Sequence, residues 1–308
     1  MAVYIKKMDK LFQKICNLFP HYKLDNKIKR KIFYLIFSLF KFFLRGPFIL
    51  NFKYFKFYSY PQKGHYSRFL LTRGVMPDDG EIGFINKNID EDTIFFDCGA
   101  NQGFYSIPIA SINRFIQVHA FEPSEKEYKL LKDNLELNKL SDILVNKKAV
   151  SSTNKDLLFE DKNKENFDTI GGVIVFDNNN ENTTKRIQSV TLDKYTEDLN
   201  INKKKNILIK IDIEGHDIDA IYGSEYILNN FFCIIIFEFS RLILDNKNFN
   251  PDDFQKFLDI HNLMIIDLHK KEFFVSQLMD KISKLDKNHL TLGNYILIKK
   301  KNLNLLKI

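Results

Sequence analysis

Phe96-Asp97-Cys98-Gly99-Ala100-Asn101-Gln102-Gly103-Phe104-Tyr105-Ser106 reads as the end of an apolar strand, an acid, a small-residue turn and the start of a helix. Gly99 and Gly103 carry no Cβ, so the backbone can turn tightly and a ligand can approach the amides at the helix start. The turn departs from GxGxxG, because Asn101 stands where the second glycine would. Further along, Phe121-Glu122-Pro123 puts an acid at the tip of the next strand, where a carboxylate can accept hydrogen bonds from both hydroxyls of a ribose. Asn146-Lys147-Lys148-Ala149-Val150 leaves the strand after that, where an adenine ring would lie.

Outward from this turn, short apolar runs alternate with helical patterns from about residue 92 onward, the signature of βα units and a mostly parallel sheet. The pattern predicts strands over 93–96, 118–121, 143–145, 207–211, 233–237 and 295–299, with a further one over 263–268. Helices are expected over 105–112, 125–138, 217–228 and 252–260. A shorter helix over 194–199 has Asp193 at its head as an expected cap. Residues 157–188 break the pattern and read as a hairpin or loop insertion over one end of the sheet, placed to shape a substrate mouth. The sequence Asn182-Thr183-Thr184 within it matches a glycosylation acceptor by chance.

The charge is uneven. Of 46 Lys/Arg and 39 Asp/Glu, 13 and 2 fall in the first 60 residues, which therefore carry +11 while the remainder carries 33 against 37, or −4. Those 60 residues also hold 11 of the 30 Phe. Lys27, Lys31, Tyr34, Ser38, Lys41 and Arg45 recur at three- and four-residue steps, one polar stripe on an otherwise apolar helix. Lys41 and Arg45 argue against a transmembrane span. Such a helix either lies in an anionic membrane interface or packs on the main domain with its stripe in water. The aromatic residues form a continuous apolar face, so nucleic acid is an unlikely partner. We divide the chain into a basic, Phe-rich extension over 1–55 and a domain over 56–308. The 3 Cys form no CxxC pair and no secretory pattern opens the chain, so a reducing, cytoplasmic compartment is expected, with a peripheral position at the inner membrane face as an option.

A nicotinamide-dependent oxidoreductase would share the Gly-rich turn and the acid, but the glycine pattern suits a pyrophosphate poorly. S-adenosyl-L-methionine fits better, with a ribose for Glu122 and a charged amino-acid end for the 97–103 loop. Asp97, Gly99, Ala100, Asn101, Gly103, Glu122 and Ala149 are the candidate cofactor residues.

Five segments together resemble the FkbM family of S-adenosylmethionine-dependent methyltransferases, in order and at its spacing. They are Asp97-Cys98-Gly99-Ala100-Asn101-Gln102-Gly103, Ala120-Phe121-Glu122-Pro123, Asn134-Leu135-Glu136-Leu137-Asn138, Val190-Thr191-Leu192-Asp193 and Lys210-Ile211-Asp212-Ile213-Glu214-Gly215-His216. The resemblance covers roughly residues 60–240. It implies a class I methyltransferase Rossmann-like fold and methyl transfer, commonly to an oxygen of a sugar or another secondary metabolite. Asp212, Glu214 and His216 alternate with Ile213 and Gly215, so an extended backbone would point all three to one side, and Glu238 ends the neighbouring strand. An alcohol acceptor loses a proton, so Asp212 or His216 is the expected base, with Glu214 and Glu238 orienting substrate hydroxyls. The same side chains could hold Mg²⁺ or Mn²⁺, although no metal ligand is assigned. A silent adaptor that binds cofactor without transferring methyl is the remaining alternative.

Overall fold

The structure is a computed structural model that describes residues 2–18, 27–40, 43–60, 70, 79–161, 172–175, 184–246, 249–285 and 291–307. Lys41, the Lys27 side chain and the Asn182-Thr183 pair lie outside these. Two helices, α1 (Ala2–Leu18) and α2 (Lys27–Phe40), precede an antiparallel hairpin of β1 (Phe48–Asn51) and β2 (Lys56–Ser59), then α3 (Asp79–Asn88). The alternating region starts with β3 (Thr93–Cys98), α4 (Ser106–Ile112), β4 (Gln117–Phe121), α5 (Glu125–Asn138) and β5 (Leu144–Asn146). It is interrupted by β6 (Ala149–Val150), β7 (Asp156–Asp161), β8 (Gly172–Val175) and β9 (Thr184–Val190). It resumes with α6 (Leu192–Asp198), β10 (Asn206–Ile211), α7 (Asp217–Tyr222), α8 (Glu225–Asn230), β11 (Phe232–Ser240), α9 (Leu242–Asp245) and α10 (Pro251–Ile260). β12 (Leu263–Ile266), β13 (Glu272–Phe273), α11 (Val275–Ser283) and β14 (Thr291–Lys299) complete it.

Eight strands form the main sheet in the order β13-β12-β14-β11-β10-β3-β4-β5. The five from β11 to β5 run parallel, and β14, β12 and β13 add an antiparallel edge. Every residue of β3 is buried, as expected of a strand covered on both faces. Strand order reverses between β3 and β10, which opens a crevice at their carboxyl ends. The insertion forms a second sheet, β6-β9-β7-β8.

Two local expectations are corrected. The helix expected over 217–228 is two helices, because the chain breaks at Gly223, where a Cβ would lie 2.2 Å from the Ser151 carbonyl oxygen. Asp193 does not cap its own helix. Thr191 does so, accepting from the Lys194 amide at 3.1 Å, and Asp193 accepts from the Tyr226 and Ile227 amides at 2.8 and 3.0 Å, capping α8.

Phe12 packs its ring against Phe33, Phe37 and Phe48, and Phe57 stacks on Phe104 at 5.3 Å. Asn134 and Asn138 accept from the Tyr58 and Lys56 amides at 2.8 and 2.7 Å, fastening β2 along α5. These N-terminal residues join the same hydrophobic cluster as one face of the main sheet, and the hairpin straddles residue 55 without a change in packing. The other side of α2 is exposed, with Ile28, Ile32, Leu35 and Leu39 at 69%, 44%, 64% and 75%. Among the described residues no helix is long and apolar enough to cross a membrane.

Candidate active site

The turn after β3 is stitched to the end of β4, since the Gly99 and Ala100 amides both donate to the Phe121 carbonyl, at 3.0 and 2.9 Å. Gly99 and Gly103 adopt φ of 84° and 93°, a region open to glycine, and Asn101 follows at 50°. Glu122 is buried and accepts from the Asn101 amide through Oε2 and the Ser124 amide through Oε1, both at 2.8 Å. Two main-chain donors thus fix the carboxylate while leaving acceptor capacity on each oxygen. Burial pushes its pKa up to about 8, against the opposing pull of those two amides.

Gly99 also touches the opposite wall of the crevice, because a Cβ there would lie 2.0 Å from the Asp212 carbonyl oxygen. Beyond β10 the backbone does not stay extended. Glu214 and Gly215 take φ of 55° and 91°, and the His216 amide closes the turn on the Ile213 carbonyl at 3.3 Å. The turn separates the three side chains expected on one face. Asp212 and Glu214 line the crevice, whereas His216 is buried behind it. The imidazole Nε2 pairs with Ser151 Oγ at 2.9 Å and Nδ1 with Asp219 at 3.3 Å, and Asn246 donates to Asp219 at 2.6 Å. Burial lowers the His216 pKa, with Asp219 pulling the other way.

The cleft encloses about 540 Å³, part of it open solvent. Gly99, Asn101, Glu122, Ala149, Asp212 and Glu214 are on its wall. Asp97, Ala100, Gly103 and Glu238 are not. Asp97 lies buried below the turn, where Oδ2 accepts from the Ser106 amide at 2.9 Å and from its hydroxyl, and burial raises its pKa to about 6. Gly103 serves packing, a Cβ there meeting Ile107 at 2.6 Å. Glu238 sits on β11 opposite Asn294. Wall residues that sequence reasoning did not single out are Phe159, Gly172 and Ile174 of the insertion, whose only signal was the break in periodicity. Among the described residues no three His, Cys, Asp or Glu side chains group as a metal site.

This site suits a nucleoside without phosphates. The Ser106 amide at the helix start, which a pyrophosphate would need, already faces the Asp97 carboxylate, so a second anion there would be repelled. Glu122 puts a carboxylate with acceptor capacity on the wall, and the Cβ-free cradle at Gly99 gives the turn its close approach to Asp212. Fold and site together define a class I methyltransferase that uses S-adenosylmethionine. The Methyltransferase FkbM domain matches residues 97–273, more than half of the chain, and the protein belongs to that family.

Solved structures are similar in part, at low identity and low TM-score. An FkbM methyltransferase of Methylobacillus flagellatus KT is 14% identical with a TM-score of 0.35, over 76% of this chain and 52% of that one. TYW2 of M. jannaschii, in complex with AdoMet, is 12% identical with a TM-score of 0.40, over 82% and 84%. TYW2 of Pyrococcus horikoshii, in complex with MeSAdo, is 12% identical with a TM-score of 0.44, over 88% and 83%. Curated protein sequences give no significant match.

The raised pKa of Glu122 yields an expectation for binding. A ribose held by Glu122 would donate to the ionised carboxylate, so S-adenosylhomocysteine should bind more tightly as pH rises from 6, level off above about 8, and release a proton at pH 7. In the free protein the sign is opposite for stability. A folded pKa above the ordinary 4.5 means that stability present below pH 4.5 is lost as pH rises through about 8. Glu122→Gln should flatten the pH dependence, and Glu122→Ala should weaken binding by about 1–3 kcal/mol. Calorimetry in buffers of different ionisation enthalpy checks both, and an affinity constant from pH 6 to 9 contradicts them.

Proposed function

We propose that the methyl acceptor is a hydroxyl oxygen of a glycan, glycolipid or secondary metabolite, held at the Asp212 end of the cleft. The observation that carries this reading is the position of Asp212. Its main chain abuts the cofactor turn at Gly99, and its carboxylate is 34% exposed and lies 3.3 Å from the buried Lys210 ammonium. When bound, S-adenosylmethionine supplies a methyl group on a positively charged sulfur. Asp212 takes the proton that the acceptor hydroxyl loses and passes it to solvent across its exposed edge. Glu214 orients neighbouring hydroxyls, a task that Glu238, off the wall, does not share. His216, with both ring nitrogens engaged, braces the turn against Ser151. Incubation with labelled methyl donor and fractionated cell-envelope material should place label in a glycan or glycolipid fraction. Label found in protein or nucleic acid alone overturns the hydroxyl acceptor.

The same reading places the protein at an anionic membrane surface. The exposed row of Ile28, Ile32, Leu35 and Leu39 lies along one side of α2, and at about 100° per residue the exposed Lys29 and Lys31 flank it. The +11 of the first 60 residues adds attraction. The protein should sediment with phosphatidylglycerol–phosphatidylcholine vesicles and not with phosphatidylcholine alone. The double variant Ile32→Glu, Leu35→Glu should stay in the supernatant, and wild-type protein that stays there disposes of the interface.

A further inference from the structure

Part of the cleft wall comes from outside the βα core: Phe159 on β7, with Gly172 and Ile174 on β8. We propose that these two strands clamp the adenine ring of the cofactor, Phe159 meeting the base through the edge of its ring and Gly172 giving the phenyl ring its room. The clamp rests on the nucleoside site described above.

Four observations carry it. Phe159 and Ile174 are direct partners across the antiparallel β7–β8 ladder, so their side chains share a face, and Gly172, two residues before Ile174, lies on that face too. β6, whose Ala149 and Val150 leave the strand where the base is expected, belongs to the same small sheet, which puts both apolar groups on one cleft. Phe159 is only 4% exposed, yet it belongs to neither of the two hydrophobic clusters among the described residues. Its burial therefore comes from contacts outside those two clusters. Finally, a Cβ on Gly172 would lie 2.0 Å from Phe159 Cζ. The φ of Gly172 is not in the left-handed region, so no backbone demand explains this glycine, and space for the ring does.

A phenyl ring across a strand glycine can also be a purely structural cover. A ring with that task alone has no reason to reach the cleft, whereas Phe159 is on its wall beside Ala149 and Val150, where the uncovered edge of the ring meets the place of a purine. Glu122 then reads the ribose and the hairpin reads the base, and the specificity of the two contacts is separable.

The test uses adenosine and S-adenosylhomocysteine, which share the base and differ in the amino-acid tail. Phe159→Ala should weaken both by the same factor, roughly ten- to a hundred-fold. Phe159→Leu keeps the apolar volume and guards against loss of the fold. With a melting temperature near wild type it should still weaken both ligands several-fold and equally. Gly172→Ala, which forces the ring toward the cleft, should do the same. The chain contains no tryptophan, so Phe159→Trp gives a single-tryptophan protein whose emission adenosine should quench. Emission unchanged at adenosine concentrations that calorimetry shows to be saturating overturns the clamp and leaves the nucleoside site standing. A loss confined to S-adenosylhomocysteine also overturns it, placing the ring at the amino-acid end. Wild-type protein that binds neither ligand removes the nucleoside site itself.

Discussion

Gly99→Ala is expected to yield a protein that melts well below the wild type and no longer binds S-adenosylhomocysteine. Two costs add at this position. An alanine at φ 84° is strained by about 1–2 kcal/mol, as L side chains crowd the following carbonyl in the left-handed region. Its Cβ would also lie 2.0 Å from the Asp212 carbonyl oxygen and 2.9 Å from the carbonyl carbon, so main chain must move against main chain, at about 1–3 kcal/mol more. The movement separates β3 from β10 where the cleft opens, and it drags Asn101, whose amide holds Glu122. Gly293→Ala isolates the first cost, because Gly293 has φ 109° but nothing within 4 Å of a Cβ. It should lower the melting temperature slightly and leave affinity alone. Thermal melts and calorimetry on the pair decide the matter, and Gly99→Ala with wild-type melting and affinity would show that the turn has slack that the geometry denies.

The same contrast explains what could be seen in the sequence. The cofactor turn, the Glu122 tip and the order of βα units were legible because each depends on local chemistry: a Cβ-free turn, an acid ending a strand, apolar runs of strand length. Asp97 was legible as part of the turn but not in its task, since only the fold reveals that it lies off the cleft wall with Ser106 turned back onto it. His216 was misplaced on an assumption of extended backbone, and nothing short of the φ values at Glu214 and Gly215 shows the turn that buries it. Asp193 illustrates a third kind of failure, where the cap belongs to a helix more than thirty residues away. The N-terminal helix was half legible. Its polar residues stood out, but periodicity cannot divide the apolar ones between Phe33 and Phe37, which face the core, and Ile32 and Leu35, which do not.

Asp212→Asn should cut methyl transfer by roughly 10²–10⁴-fold, the usual range for loss of a positioned base, and leave S-adenosylhomocysteine affinity within a few-fold of wild type. The substitution preserves shape, so the Gly99 contact with the 212 main chain is untouched. What changes is the partner of Lys210, which is fully buried on β10. A lysine there needs company, and it has it: Nζ donates to the Ile211 carbonyl and to Asn294, both at 3.1 Å, and lies 5.1 Å from the Tyr105 ring centre. These contacts survive in the variant, but the ammonium stays buried without its counter-charge, so the fold should lose about 3 kcal/mol. The ammonium 3.3 Å away fixes one side of the carboxylate, and its open edge faces the cleft. An asparagine there can still accept a hydrogen bond from a hydroxyl but cannot take its proton. Label transfer to the envelope fraction that the wild type methylates measures the first effect, and calorimetry the second. If both fall together, Asp212 belongs to the cofactor pocket and the base must be sought elsewhere on the wall.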